Sequence, residues 1–358
     1  MKMPELRIGH LISRLPIIQG GMGVGISMSG LASAVANAGG IGVIAGAMAG
    51  ITEKDVSTNG KEANCRALSR EIQKAKEKTG GIIGVNIMVA LTHFADLVKT
   101  AISEKIDIIF AGAGLPMDLP GFLNKGDKTR LVPIVSSGRA AALICKRWLQ
   151  RYNYLPDAFV VEGPKAGGHL GFKPSQLEDP AFQLEQLVGD VVAEMDKVAG
   201  EQGVRIPVIA AGGVYNGEDI RRFLDLGASG VQMGTRFVAT HECDADEAFK
   251  QSYVKAKKED LTVIKSPVGL PGRALKNTFL TNVANGEKKP FRCPYHCIKS
   301  CDPENSPYCI GLALAMARQG KLKNGFAFAG ANAFRVDKIV SVKELMDSLV
   351  AGYDLATV

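Results

Sequence analysis

The sequence predicts an α/β fold, a (β/α)8 TIM barrel with a smaller appended or inserted Cys-rich subdomain. Three observations carry the prediction. Short apolar runs recur eight times, the runs are continuous rather than alternating, and Gly-dense turns and helical patterns separate them. A continuous apolar strand is buried on both faces, which requires a parallel sheet covered by helices. Eight such strands alternating with helices close into a barrel. A doubly wound open sheet is the alternative that the same alternation allows.

The strands are expected at 16–20, 41–45, 82–88, 106–110, 131–135, 158–162, 207–211 and 230–234. Helical patterns lie at 27–38, 63–78, 180–199 and 218–226. On the second of these Ser69, Glu71, Lys74 and Lys78 form the expected wet face, and Asn216-Gly-Glu-Asp219 supplies a start signal for the fourth. Beyond Phe237 the pattern changes. A charged helix is expected at 245–260, turn residues and cysteines fill 261–310, and helices resume at 311–320 and 342–351. Residues 326–330 read as a closing loop. The expected division is therefore a barrel over 1–240 plus 326–358, with a helical and loop subdomain over 241–325.

Composition narrows the function classes. With 46% hydrophobic and 22% charged residues the chain is globular rather than disordered. Its 41 glycines follow no repeat, so they belong to turns and to places where backbone approaches a ligand. The net charge of +7 comes from scattered Lys and Arg without a basic run, which argues against nucleic acid. The longest apolar stretch, 39–51, is too short to span a bilayer, and the start lacks a signal-peptide core. The expected location is the cytoplasm, with no membrane partner. Seven cysteines, an odd number, argue against a disulfide framework.

The ends of the expected strands carry the chemistry. Gly212 and Gly213 follow the seventh strand, and Gly234 and Thr235 follow the eighth. Loops at these two places in a barrel commonly hold a phosphate, because glycine lets backbone N–H groups approach the oxygens and the next helix adds partial positive charge. Tight barrel turns alone would explain one such Gly pair, but two loops in register favour the phosphate. Gln19-Gly-Gly-Met-Gly-Val-Gly25 is not a dinucleotide fingerprint; its glycines would let a flat ring approach the backbone, with Met22 and Asn86 as contacts. Taken alone, Met22 is better explained by core packing. His169 stands among glycines in Glu162-Gly-Pro-Lys-Ala-Gly-Gly-His169, where packing explains it poorly and proton transfer explains it well. His10, His93, His241 and His296 read as structural or surface residues.

Cys293, Cys297, Cys301 and Cys309 form C-x3-C-x3-C-x7-C. A [4Fe–4S] cluster is the first reading of that spacing, with structural zinc and unliganded thiols as the others. Cys65, Cys145 and Cys243 are isolated and read as inert.

On Pro16-Ile-Ile-Gln-Gly-Gly-Met-Gly23, Glu162-Gly-Pro-Lys-Ala-Gly-Gly-His169, Ala211-Gly-Gly213, Gln232-Met-Gly-Thr-Arg236 and Phe328-Ala-Gly-Ala331, the chain resembles the nitronate monooxygenase family. It is equally similar to the FMN-dependent enoyl-acyl-carrier-protein reductases of type II. The resemblance implies a barrel holding non-covalent FMN. Its implied cofactor residues are Gly21, Met22, Gly23, Asn86, Glu162, Gly167, Gly168, Ala211, Gly212, Gly213, Gln232, Gly234 and Thr235, and His169 is the implied active-site residue. The implied activity is oxidation of alkyl nitronates with O2; the alternative is reduction of an enoyl thioester, with NAD(P)H as co-substrate. A phosphate-binding barrel without redox chemistry is the reading from a different class. Family members often carry Glu where Lys165 stands, which suits an anionic substrate or simply a solvated side chain. The expected partner is a small molecule, nitronate or enoyl thioester, and the expected assembly a homodimer.

Overall fold

The computed structural model describes residues 2–289, 291 and 293–356. Eight parallel strands form its main sheet: β1 Ile17–Gln19, β2 Gly42–Ala45, β3 Ile83–Met88, β4 Ile108–Gly112, β5 Arg130–Val135, β6 Phe159–Glu162, β7 Val208–Ala211 and β8 Gly230–Met233. Each pairs with its sequence neighbour, β8 pairs with β1, and a parallel bridge between Ile18 and Ile41 joins β1 to β2. The sheet is therefore closed, as eight strands with helical crossovers require.

The helices that cover it include α1 Ser29–Asn37, α2 Gly60–Lys78, α3 Phe94–Ser103, α4 Gly138–Tyr152, α5 Leu184–Gln202, α6 Gly217–Asp225 and the short α7 Thr235–Val238. Three of them, α3, α4 and α7, go beyond the helical patterns read from the sequence. Between β4 and β5 there is no α-helix; a 3-10 turn at Leu119–Phe122 takes its place. Trp148 of α4 pins that connection by donating from Nε1 to the carbonyl of Pro116 at 3.0 Å. The expected start of α6 is observed: Asn216 and Asp219 form a reciprocal capping box.

Glu71 departs from the expected wet face. It is buried and accepts the backbone N–H of Ser29 at 3.1 Å. Burial pushes its carboxyl up, but the bonds from Ser29 and Lys74 outweigh this and hold it below its usual value. Asp244 joins it at the start of α1, accepting the N–H groups of Met28, Gly30 and Leu31. The first turn of α1, which has no capping side chain of its own, is thus satisfied from α2 and from the far end of the barrel domain.

The core has two shells. Ile18, Val43, Ile108, Phe110, Val132, Val160 and Ile209 fill the barrel interior, while alternate strand residues such as Ile17, Ile44, Ile109 and Val161 pack against the helices. An N-terminal hairpin, Leu6–Ile8 with Leu11–Ser13, plugs the bottom by adding Leu6 and Ile8 to the interior.

Past the barrel, α8 Glu247–Val254 packs into the main core through Phe249 and Tyr253. The segment expected to hold helices and loops also contains an antiparallel hairpin, Leu261–Lys265 with Pro271–Leu275. With α9 Thr278–Ala284 and α10 Ile310–Arg318 it encloses a small core of Val268, Phe279, Leu280, Tyr308, Ile310 and Phe326. The chain ends in α11 Val342–Leu355, against α6. Among the described residues, no helix is long and apolar enough to cross a membrane.

Candidate active site at the barrel mouth

Strand periodicity decides what faces the lumen. On β3, Val85 and Ile87 pack outward, so Asn86 points in; on β6, Val161 packs outward, so Glu162 points in; on β8, Val231 and Met233 pack outward, so Gln232 points in. Glu162 and Gln232 flank Ala211 in register across β7. The top layer of the lumen is therefore polar, above a wholly apolar interior.

Burial alone pushes the Glu162 carboxyl up to about 7. Gln232 Oε1 is buried and, among the described residues, is the one buried side-chain polar atom without a hydrogen bond. Such an orphan costs free energy unless a ligand donor meets it.

The loop after β1 folds over this layer. A Cβ at Gly21 would stand 2.4 Å from Cβ of Asn86, so only glycine fits there. A Cβ at Gly234 would lie 3.4 Å from Sδ of Met22, which is partly buried and packs against the main core beside the start of α7. Gly23 is exposed on the same loop.

At the other side, Gly212 and Gly213 have φ of 95° and 104°, two consecutive left-handed glycines at the end of β7. The Lys165 side chain lies over them, with its Cβ 3.0 Å from where a Cβ of Gly213 would be. Thr235 accepts the N–H of Gly330 at 3.0 Å, which leaves its own hydroxyl proton free, and Asn332 donates to the carbonyl of Gly213 at 2.6 Å. Gly330 and Asn332 thus tether the loop expected at 326–330, and the residues just after it, to the ends of β7 and β8.

His169 forms a two-residue strand with Gly168, paired to Gly272 and Arg273 of the late hairpin. Its Nε2 lies 2.8 Å from Oγ of Ser266, and its ring meets Phe328 edge-on at 5.1 Å. Burial lowers its pKa to about 4, so the imidazole is neutral at pH 7. Arg273, itself buried, donates to the carbonyls of Pro164 and Ala166 and clamps the loop that carries His169.

The sequence-derived set is thus largely gathered on one mouth: Gly21, Met22, Asn86, Glu162, Gln232, Gly212, Gly213, Gly234 and Thr235, with His169 above. Gly167 has a different reason to be glycine. A Cβ there would meet the carbonyl carbon of Ala329 at 2.5 Å, so the backbone of the 329–330 loop packs directly on it. Gly168 is required by its φ of 83°. Ser266 and Arg273 escaped the sequence reading; the Ser266-Pro-Val-Gly269 turn signal between two β-type runs was the available clue.

The four clustered cysteines are free thiols. They lie close enough that burial and their mutual repulsion both raise Cys297, Cys301 and Cys309. Even so, among the described residues no group of three or more His, Cys, Asp or Glu side chains is arranged to hold a metal ion. Cys297 is turned into apolar contact with Met48 and Tyr295, and Cys309 precedes α10 as its buried N-cap residue, so the ligand set expected from the spacing is not among the arrangements observed.

Comparison with known proteins follows the same lines. A family sequence model described as nitronate monooxygenase matches residues 6–352. The nitronate monooxygenase of Pseudomonas aeruginosa is 31% identical over 72% of this chain and 77% of its own length. A (3aS,4S,5R,7aS)-5-hydroxy-7a-methyl-1-oxo-octahydro-1H-indene-4-carboxyl-CoA dehydrogenase of Mycobacterium tuberculosis is 29% identical over 76% of this chain, which spans 66% of that protein, just under two thirds. Among solved structures, FabK from Thermotoga maritima superposes with a TM-score of 0.71 at 29% identity, over 95% of this chain and 92% of that one.

Proposed function

The chain belongs to the nitronate monooxygenase family, and on that premise we propose that it is an FMN-dependent oxidoreductase that oxidises alkyl nitronates with O2. One observation carries the reading: a glycine nest, an orphaned buried acceptor and a half-buried, neutral histidine share a single barrel mouth.

The residues fit FMN. The backbone N–H groups of Gly212, Gly213 and Gly234, the hydroxyl of Thr235 and the cation of Lys165 suit its phosphate. Gly21, Met22, Asn86, Glu162 and Gln232 suit its ring; a ring N–H would supply the donor that Gln232 Oε1 lacks, and Glu162, titrating near 7, could meet either a donor or an acceptor. Bound FMN supplies electron transfer, which no side chain of this mouth can perform. His169 faces the substrate. Being neutral, it carries one ring N–H that can donate to an oxygen of a nitronate and one ring nitrogen with a free lone pair. The late hairpin and the 326–332 loop close the mouth against water.

A second reading, NAD(P)H-dependent reduction of an enoyl thioester, draws on one feature. Lys165 is exposed at the rim, which suits the phosphates of a CoA-type carrier, and the Mycobacterium tuberculosis relative is named for a CoA thioester. Anaerobic mixing of the FMN-loaded protein separates the two. Loss of the visible flavin band with propyl-2-nitronate alone supports nitronate oxidation. Loss only with NADH or NADPH, reversed by crotonyl-CoA, supports the second reading. A protein that retains no FMN supports neither.

A further inference from the structure

Ser266 is 3% exposed, at the turn of the late hairpin, and stands 97 residues along the chain from the histidine it touches. Its Oγ makes two contacts. It accepts the backbone N–H of Val268 at 3.3 Å, and it lies 2.8 Å from Nε2 of His169. A buried hydroxyl must place its proton on an acceptor. Val268 N is a donor, so the acceptor within reach is Nε2. That nitrogen then carries the lone pair, and in a neutral ring the proton sits on Nδ1, for which the protein offers no acceptor among the described residues.

We propose that Ser266 is a positioning residue that donates to Nε2 and locks His169 as the neutral Nδ1–H tautomer, so that His169 enters the reaction as a hydrogen-bond donor to a substrate oxygen rather than as a proton acceptor. The surrounding packing supports this. The ladder to Gly272 fixes the backbone of His169, the Phe328 edge fixes its ring plane, and Ser266 fixes which nitrogen is protonated. The late hairpin and the loop that carries Phe328 thereby become part of the active site, since all three contacts come from them. The inference rests on the functional reading only in naming the substrate oxygen.

The test is the tautomer itself. FMN-loaded full-length protein carrying 15N-labelled histidine is followed by 1H–15N correlation through the ring, with His169→Gln identifying the His169 signals among the five histidines. The expected result is a protonated Nδ1 and an unprotonated Nε2 at pH 7. In Ser266→Ala the two tautomers should mix. The midpoint of the His169 titration should rise, because a bond donated to the neutral ring no longer favours it. Turnover should fall roughly 10–100-fold. Ser266→Thr, which keeps the hydroxyl, should restore tautomer, midpoint and rate. A protonated Nε2 in the parent protein overturns the proposal, as does an Ser266→Ala protein whose tautomer and midpoint are unchanged. Should Ser266→Ala not fold, the parent spectrum and Ser266→Thr still decide. Loss of FMN binding would instead sink the functional reading, since the tautomer is read on protein signals alone.

Discussion

His169 and Glu162 show how burial alone assigns chemical states. His169 titrates at about 4 instead of the ordinary 6.5. The unfolded chain therefore takes up a proton between these values and the folded chain does not, so this residue lowers stability as pH falls from about 6.5 towards 4. Glu162 has the opposite sense. Its folded value of about 7 exceeds the ordinary 4.5, so its contribution is present below about 4.5 and lost as pH rises through 7. Glu162→Gln, of similar shape but without charge, should raise the melting temperature at pH 8 and leave it unchanged near pH 4, with flavin occupancy held equal in both proteins. A melting temperature lowered at pH 8 would mean that the carboxylate has a partner stronger than its burial cost. His169→Gln should keep its flavin and lose turnover by roughly 100-fold or more; unchanged kcat/KM would remove His169 from the reaction. His169 was legible in the sequence because it stands among glycines after a strand, whereas Glu162 entered only with the family resemblance. Ser266 was not, because a contact across 97 residues leaves no local pattern.

Elements were legible in proportion to how buried they are. Every strand of the barrel lies in a run expected from its apolar residues, down to the three residues of β1. By contrast α4 mixes Arg139, Lys146, Arg147 and Arg151 with its apolar face, and its pattern escaped notice although Ser137 caps it through Ala140. Glu71 was misplaced for a related reason: helical spacing cannot reveal that a second helix start needs its carboxylate. That need makes a prediction. Asp244→Ala removes the acceptor of three backbone N–H groups at the start of α1 and should cost about 2 kcal/mol, read by denaturant unfolding. Asp244→Asn should recover part of it, because an amide oxygen still accepts. An unchanged midpoint in Asp244→Ala would mean that water satisfies α1 equally well.

The whole molecule is a barrel closed at the bottom by an N-terminal hairpin and roofed by a late hairpin and its loop. This division of labour follows from the chain's order. The first residues add Leu6 and Ile8 to the apolar interior, and the last third supplies Ser266, Arg273, Phe328 and Asn332 to the mouth. The barrel could be inferred from strand count, but the roof could not, because its contacts connect segments far apart in sequence. We propose that this mouth holds one FMN by its phosphate at the Gly212–Gly213 nest. Equilibrium titration of flavin-stripped protein with FMN, followed by quenching of flavin fluorescence, tests it most directly. The parent chain should bind one FMN per chain. Gly213→Val, which forces a β-branched residue into a φ of 104° beside Lys165, should lose most of that affinity. A parent chain that quenches no FMN, or a Gly213→Val chain that binds it as tightly as the parent, would contradict the account.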